Sequence, residues 1–261
     1  MTSLFDSLTV LIPTFNEEAN LEDTLSRLPW AKEILVVDSG SSDRTLEIAA
    51  RYSQCRVIKR RFDTFANQCN FGLSKITSEW VLSLDADYKI TPRLAKEIET
   101  LIPDQSTCGF LASFVFRIYG VPLKASLYPP RCVLYRRLKA RYRDEGHGHR
   151  VTIDGDVSKL AGQVVHDDRK PLSRWVASQQ SYALREAQYL LSSDTNQLSL
   201  SDRIRLMRWP APILVFFYTL FWKRCFLEGW IGWYYVLQRT FAEILISLEL
   251  TDRRLFKRKS G

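Results

Sequence analysis

Apolar and polar positions alternate in blocks over the first hundred residues. Leu8–Ile12 is a short apolar run ending at Pro13, the pattern of a buried strand. Asn16 offers a helix cap with Glu17 and Glu18 in the first turn, and Leu21, Leu25 and Leu28 follow at helical spacing. Ile34–Val37 is a second strand run, Ser39–Ser42 its turn, and a helix is expected from Asp43 to about Ser53. Arg56–Ile58 reads as a third strand, Phe65–Lys75 as a helix, and Trp80–Leu84 as a fourth strand ending at Asp85. Thr91 and Pro92 fit the cap and first position of another helix. This strand–helix order predicts an α/β fold with one Rossmann-like, mostly parallel sheet flanked by helices.

After residue 105 the pattern changes. Phe110, Ala112, Phe114, Phe116 and Ile118 alternate as in a strand, Tyr128-Pro129-Pro130 is a break, and Val133 with Tyr135 suggests a further strand. Short runs at Val151–Ile153 and Val164–Val165 follow, and residues 172–192 and 228–250 read as helices. The expected organisation is a first half at 1–105, a second half of the same domain at 106–200, and a C-terminal helical appendage at 201–261.

Composition narrows the class. A chain of 261 residues allows one large domain or one domain with an appendage. Five cysteines without a C-x-x-C pair argue against a disulfide framework and for a reducing compartment. No apolar run reaches 18 residues, and Met-Thr-Ser-Leu-Phe-Asp-Ser-Leu has no basic region or cleavage pattern. A membrane span and a secretory signal are therefore not expected. The charge is uneven: of a net +8, residues 201–261 carry 11 basic and 5 acidic side chains, and four of the seven tryptophans. Such a tail suits an anionic surface.

Three acidic groups stand at predicted strand ends: P-T-F-N-E-E (13–18), D-S-G-S-S-D (38–43) and D-A-D (85–87). Each alone reads as a helix start, a turn or a solvated loop. Together they fall where open parallel sheets collect ligands, beyond the carboxyl ends of strands. Two carboxylates one residue apart can share a hard divalent cation such as Mg²⁺ or Mn²⁺. That cation would neutralise a leaving diphosphate. Asp38 could accept a hydrogen bond from a nucleobase or ribose.

V-L-I-P-T-F-N-E-E (10–18), V-V-D-S-G-S-S-D-R-T (36–45) and L-S-L-D-A-D (82–87), in this order, resemble the motifs of family 2 glycosyltransferases. These are inverting enzymes of the GT-A fold. F-A-N-Q-C-N-F-G-L (65–73) and the later T-P resemble the bacterial branch acting on lipopolysaccharide cores and related glycolipids. The resemblance implies that Pro13, Thr14 and Glu17 line the nucleotide pocket and that Asp38 contacts the base. It implies that Asp85 lies near the ribose or a metal-bound water, and that Asp87 binds the metal through the diphosphate. His166 would complete the metal shell, as a downstream histidine does in some GT-A enzymes. In R-Y-R-D-E-G-H-G-H-R (141–150) the family's catalytic base is expected at Glu145, with Asp144 as the second candidate. The family often has an acid directly after a histidine here, and this chain has Arg150 after His149. Arg131, Arg136, Arg137, Lys139, Arg141 and Arg143 form a basic cluster that could cradle diphosphate or an anionic acceptor.

The expected function is metal-assisted, inverting transfer of a sugar from a nucleotide-diphosphate donor to a lipid-linked or cell-envelope glycan. A nucleotidyltransferase and a non-catalytic membrane-binding module are the alternatives. The first would want a Gly-rich basic phosphate loop after strand one, where this chain has N-E-E. Nucleic acid is not expected as a partner, and oligomers are compatible with the reading. Trp209–Trp222 is fourteen residues without a charge, bounded by Arg203, Arg205, Arg208 and by Lys223, Arg224. As a helix it would be about 21 Å long, short of the roughly 30 Å hydrocarbon core. Peripheral attachment through 201–261 to the cytoplasmic face of the membrane is therefore expected.

Overall fold

The structure, a computed structural model, describes residues 3–125, 127–145, 148–196 and 198–259. Strands and helices begin as β1 (Leu8–Thr14), α1 (Leu21–Leu25), β2 (Glu33–Asp38), α2 (Thr45–Ala50), β3 (Cys55–Lys59), α3 (Phe65–Ser74) and β4 (Trp80–Ser83). Next come β5 (Tyr88–Ile90), α4 (Pro92–Thr100), β6 (Thr107–Ile118), β7 (Val121–Leu123), β8 (Arg131–Arg136), β9 (Ala140–Glu145), β10 (Gly148–Ile153) and β11 (Asp156–His166). Four further α-helices close the chain: α5 (Leu172–Ser192), α6 (Leu200–Leu206), α7 (Pro210–Phe217) and α8 (Gly229–Lys259). Two compact units result. The first runs to Pro122 and resumes over Leu127–Arg169; the second is built mainly from Lys170 onward.

In the first unit the sheet order is β3-β2-β1-β4-β8-β6-β11-β5. Strands β3, β2, β1 and β4 are parallel neighbours. Strand β8 is antiparallel to both β4 and β6, β11 is parallel to β6, and β5 is antiparallel to β11. The apolar run of β1 has a simple cause: both its faces are covered. Val10 and Ile12 pack with Leu21, Leu25 and Leu28, whereas Leu11 packs on the opposite face with Ala66, Cys69 and Leu73 of α3. Full burial of each such side chain contributes about 1.5–3 kcal/mol. Helix α3 approaches so closely that a Cβ on Gly72 would lie 2.5 Å from Leu11 Cδ1.

The local chemistry corrects one sequence expectation and adds one strand. Asn16 does not cap a helix: it adopts a left-handed φ of 54°, and α1 starts only at Leu21. Ala140–Glu145, to which the sequence pattern assigns no element, is strand β9 paired antiparallel with β10. Thr91 caps α4 as expected, accepting from the Leu94 N–H (3.3 Å).

In the second unit, Ala183, Ala187 and Leu190 of α5 pack with Ile246 and Leu250 of α8. Arg205 of α6 ties them further, reaching Glu186 (3.0 Å) and Glu243 (2.7 Å). Helix α7 passes into a π-helical turn at Tyr218–Trp222 before the chain turns back into α8. Among the described residues, no helix is long and apolar enough to cross a membrane.

Candidate active site

Parallel pairing of β2, β1 and β4 brings the three acidic segments to one edge of the sheet. Side chains then join the first two loops. Asn16 Oδ1 accepts from the Ser42 N–H (2.8 Å), and the Asn16 N–H donates to Ser41 Oγ (2.8 Å). The Glu17 N–H donates to Thr45 Oγ1 (2.7 Å), and the Glu18 N–H to Asp43 Oδ2 (3.2 Å). Asp38 is fully buried. Its Oδ2 accepts from the N–H groups of Gly40 (2.9 Å) and Ser41 (3.0 Å), and its Oδ1 from the hydroxyls of Thr14 (3.1 Å) and Ser41. Thr14 and Asp38, both expected to touch nucleotide, thus engage each other inside the loop framework. Half-buried Pro13 lies in β1 opposite Val37 of β2.

The third segment is arranged differently. The antiparallel register of β11 on β5 sets His166 opposite Tyr88, one residue from Asp87. His166 Nε2 lies 3.0 Å from Asp87 Oδ2. The imidazole is packed among the rings of Tyr88, Phe116 and Tyr128 at centroid distances of 4.9–5.3 Å. Its Nδ1 is buried with no hydrogen-bond partner among the described residues, so packing alone orients that side of the ring. Burial opposes the charged imidazole, but Asp87 beside it outweighs burial, with Asp85 and Asp168 adding, and the pKa is raised. Arg131 Cζ stands 4.7 Å over the Tyr128 ring. Burial works against its charge too, and Tyr88, Tyr128, Asp85 and Asp87 together reverse the effect. The hydroxyls of Tyr88 and Tyr128 are in contact. Asp85, Asp87, His166 and Arg131 therefore form one electrostatic group.

Asn20, fully buried, links this group to the first loop. Its amide Nδ2 donates to Glu17 Oε2 (3.1 Å) and to Asp168 Oδ1 (3.0 Å), and its Oδ1 accepts from the Arg169 N–H (2.9 Å). Next to it, Lys89 Nζ bridges Asp23 (2.6 Å) and fully buried Asp167 (2.8 Å), and Arg169 contacts the same two carboxylates. Burial raises the Asp167 and Asp23 pKa values, but Lys89 in particular more than offsets this and holds both below the ordinary carboxylate range. Sequence reasoning missed Asn20, Lys89 and Tyr128. The H-D-D-R-K run (166–170) was the available signal for the cluster; Lys89, inside Tyr-Lys-Ile, gave none.

Strand β9 carries the two base candidates. Asn70 of α3 holds it through both backbone groups of Tyr142 (2.9 and 3.0 Å). Exposed Asp144 accepts from the Ala66 N–H (3.1 Å) at the start of α3, where the helix dipole favours an anion. The thiol of Cys69 is pushed up mainly by burial and further by the charges of Asp85 and Asp144. The Glu145 and His149 side chains and all of His147 lie outside the described residues. The basic cluster is dispersed. Arg136 contacts Glu79, Arg137 donates to Ser78 O (3.2 Å), Lys139 pairs with Asp154 (3.0 Å), Arg141 and Arg143 are exposed on β9, and Arg131 belongs to the acidic group.

The donors present suit a small divalent cation. Asp87 and His166 supply a carboxylate and an imidazole, donor types such an ion takes, joined here by a 3.0 Å hydrogen bond. Among the described residues no group of three or more His, Cys, Asp or Glu could hold a metal. Substrate and water oxygens are further ligands that such an ion takes.

Comparison with known proteins places this geometry. An uncharacterized glycosyltransferase of Rickettsia bellii is 23% identical over 267 residues, spanning 97% of this chain and 88% of its own. LpsC of Rhizobium meliloti, a lipopolysaccharide core biosynthesis glycosyltransferase, is 26% identical over 237 residues, spanning 86% and 85%. Among solved structures, S. aureus TarS 1–349 in complex with UDP-GlcNAc aligns with a TM-score of 0.50 at 16% identity, over 95% of this chain and 92% of that one. That likeness is one of fold and agrees with the GT-A arrangement. The profile described as Glycosyl transferase family 2 matches residues 9–151, more than half of the chain and all three acidic segments. With those segments gathered at one sheet edge, the chain belongs to glycosyl transferase family 2.

Proposed function

We propose that the protein transfers a sugar, with inversion, from a nucleotide-diphosphate donor to a hydroxyl of a lipid-linked or cell-envelope glycan. The observation that carries this reading is the group formed by Asp85, Asp87, His166 and Arg131 at the carboxyl edge of parallel strands. Asp87 and His166 would hold Mg²⁺ or Mn²⁺. When bound, the ion neutralises charge developing on the leaving diphosphate. Arg131 adds a fixed positive charge, and Asp85 serves the ribose or a metal-bound water. Pro13, Thr14 and Glu17 belong to the nucleotide pocket. Asp38 supports the base by shaping the Ser39–Ser42 turn, since its own oxygens already have four donors. Glu145, or Asp144 beside it, takes the proton of the acceptor hydroxyl. The hydroxyl oxygen bonds to the anomeric carbon as the bond to diphosphate breaks on the opposite face.

The name of the LpsC relative supports a glycolipid acceptor. The second unit supports peripheral contact with the cytoplasmic membrane face: Trp209, Phe217, Phe221 and Trp222 are all more than half exposed. The test is incubation of the pure protein with a panel of nucleotide sugars and Mn²⁺. Slow hydrolysis of one donor, releasing sugar of inverted configuration, is expected. Absence of hydrolysis with every donor, or release with retained configuration, counts against the reading.

A further inference from the structure

The second unit has a cavity of about 210 Å³ lined by Arg208, Thr251, Arg254 and Leu255. Arg208 adopts a left-handed φ of 71°, a strained backbone for a residue with a side chain. The Ser247 hydroxyl donates to its carbonyl (2.9 Å), which fixes Arg208 against α8 one turn before Thr251. Arg208 Nε is buried with no hydrogen-bond partner among the described residues. Arg208 as a whole is half-buried and lines the cavity, and an anion there would accept from its guanidinium. Among the described residues no acid lines the cavity: on the same stretch of α8, Glu249 is engaged by Arg253 (2.7 Å) and Asp252 is exposed. Two guanidinium groups around a small cavity match the oxygens of a phosphate ester.

This cavity ends an apolar stripe. Trp230, Trp233, Leu237, Phe241, Ile244 and Leu248 are exposed at steps of three and four residues, on one face of α8. The same steps lead on to Thr251 and Leu255, so the stripe runs about 37 Å at 1.5 Å per residue. Arg208 also leads directly into exposed Trp209 and α7. The charges favour a lipid leaflet over a second copy as the occupant. Glu243 and Glu249 are tied to Arg205 and Arg253, and over residues 201–255 exposed Arg203, Arg224 and Arg254 outnumber the one exposed acid, Asp252. Two copies would bring like charges together. An anionic leaflet complements them, and tryptophans suit its interface.

We infer that the Arg208–Arg254 cavity binds the phosphate of an anionic phospholipid head group while the α8 stripe lies at the acyl boundary of the same leaflet. The inference rests on the membrane contact proposed above. Free phosphate shares the chemistry, so the test separates the two sources. The full chain is floated with phosphatidylcholine vesicles, with and without phosphatidylglycerol, at about 0.5 M salt to screen diffuse attraction. Arg208→Gln with Arg254→Gln is compared with a charge-matched pair, Arg203→Gln with Arg253→Gln, after thermal melts establish folding. The cavity pair should lose at least about tenfold more partitioning into phosphatidylglycerol vesicles than the matched pair. If Arg208→Gln does not fold, Arg254→Gln against Arg253→Gln carries the same comparison. Equal losses would overturn the site and leave membrane contact standing. Failure of the unmodified protein to float would overturn both. A melting point raised by inorganic phosphate only when both arginines are present, without a vesicle difference, would mark a free-phosphate site and overturn the lipid assignment. Asp87→Ala should float like the unmodified protein, which keeps the outcome independent of sugar transfer.

Discussion

Asp38 and Asp87 follow the same sheet edge and come from equally acidic motifs, yet their surroundings differ. Asp38 is fully buried and receives four hydrogen bonds from its own loops. Asp87 keeps 16% of its side chain exposed and faces the imidazole of His166. A carboxylate whose lone pairs are filled by the fold shapes a pocket. One with lone pairs left over can act on a ligand. The contrast separates framework from chemistry in motifs that look alike on paper.

The largest effect should come from Asp87→Ala. Removing several kcal/mol of leaving-group stabilisation should lower turnover by about 10³-fold or more, while the melting temperature stays near that of the parent. Activity retained in that variant would erase the distinction from Asp38. Next, Glu145→Gln should lower turnover by about 10²–10⁴ with nucleotide affinity kept. If Asp144→Asn is the damaging change instead, the anion at the start of α3 is the base.

Asp38→Ala should act on the fold. It leaves the Gly40 and Ser41 N–H groups and two hydroxyls without their acceptor, a cost of about 2–4 kcal/mol in denaturant unfolding. Unchanged stability with lost nucleotide affinity would restore Asp38 as a direct contact to the base. The smallest effect is in pH. Asp167 and Asp23 have folded-state pKa values below 3.8 because Lys89 outweighs their burial. Their stabilisation is present above that value and is lost as pH falls below it, at about 1.4 kcal/mol per unit of depression. Asp167→Asn should flatten the acid limb of the stability profile; an unaltered limb would remove Lys89 and Asp167 from the account.

Much of this arrangement was legible in the sequence because burial on two faces writes a plain pattern. Val10–Ile12 and Ile34–Val37 could be little else than central strands, and Asp85 and Asp87 stand where the fourth run ends. Other parts depend on contacts distant in the chain. Asn16 looks like a cap, but its side chain is drawn to Ser42. Strand β9 was hidden because Arg141 and Arg143 of its one face are exposed, while the other face pairs buried Tyr142 with a charged residue, Asp144, held at the start of α3. Lys89 resembles a stray charge in a short apolar run until β11 brings Asp167 to it.

The most direct measurement is a calorimetric titration of nucleoside diphosphate, chosen by a thermal-shift screen of UDP, GDP, CDP and dTDP, into the unmodified protein, Asp87→Ala and Asp38→Asn, with and without Mn²⁺. One nucleotide should bind the unmodified protein more tightly with Mn²⁺. Asp87→Ala should lose that gain while keeping its metal-free affinity, and folded Asp38→Asn should keep the gain. Equal Mn²⁺ enhancement in the unmodified protein and Asp87→Ala, or loss of it only in Asp38→Asn, would contradict the division between a framework carboxylate and a chemical one.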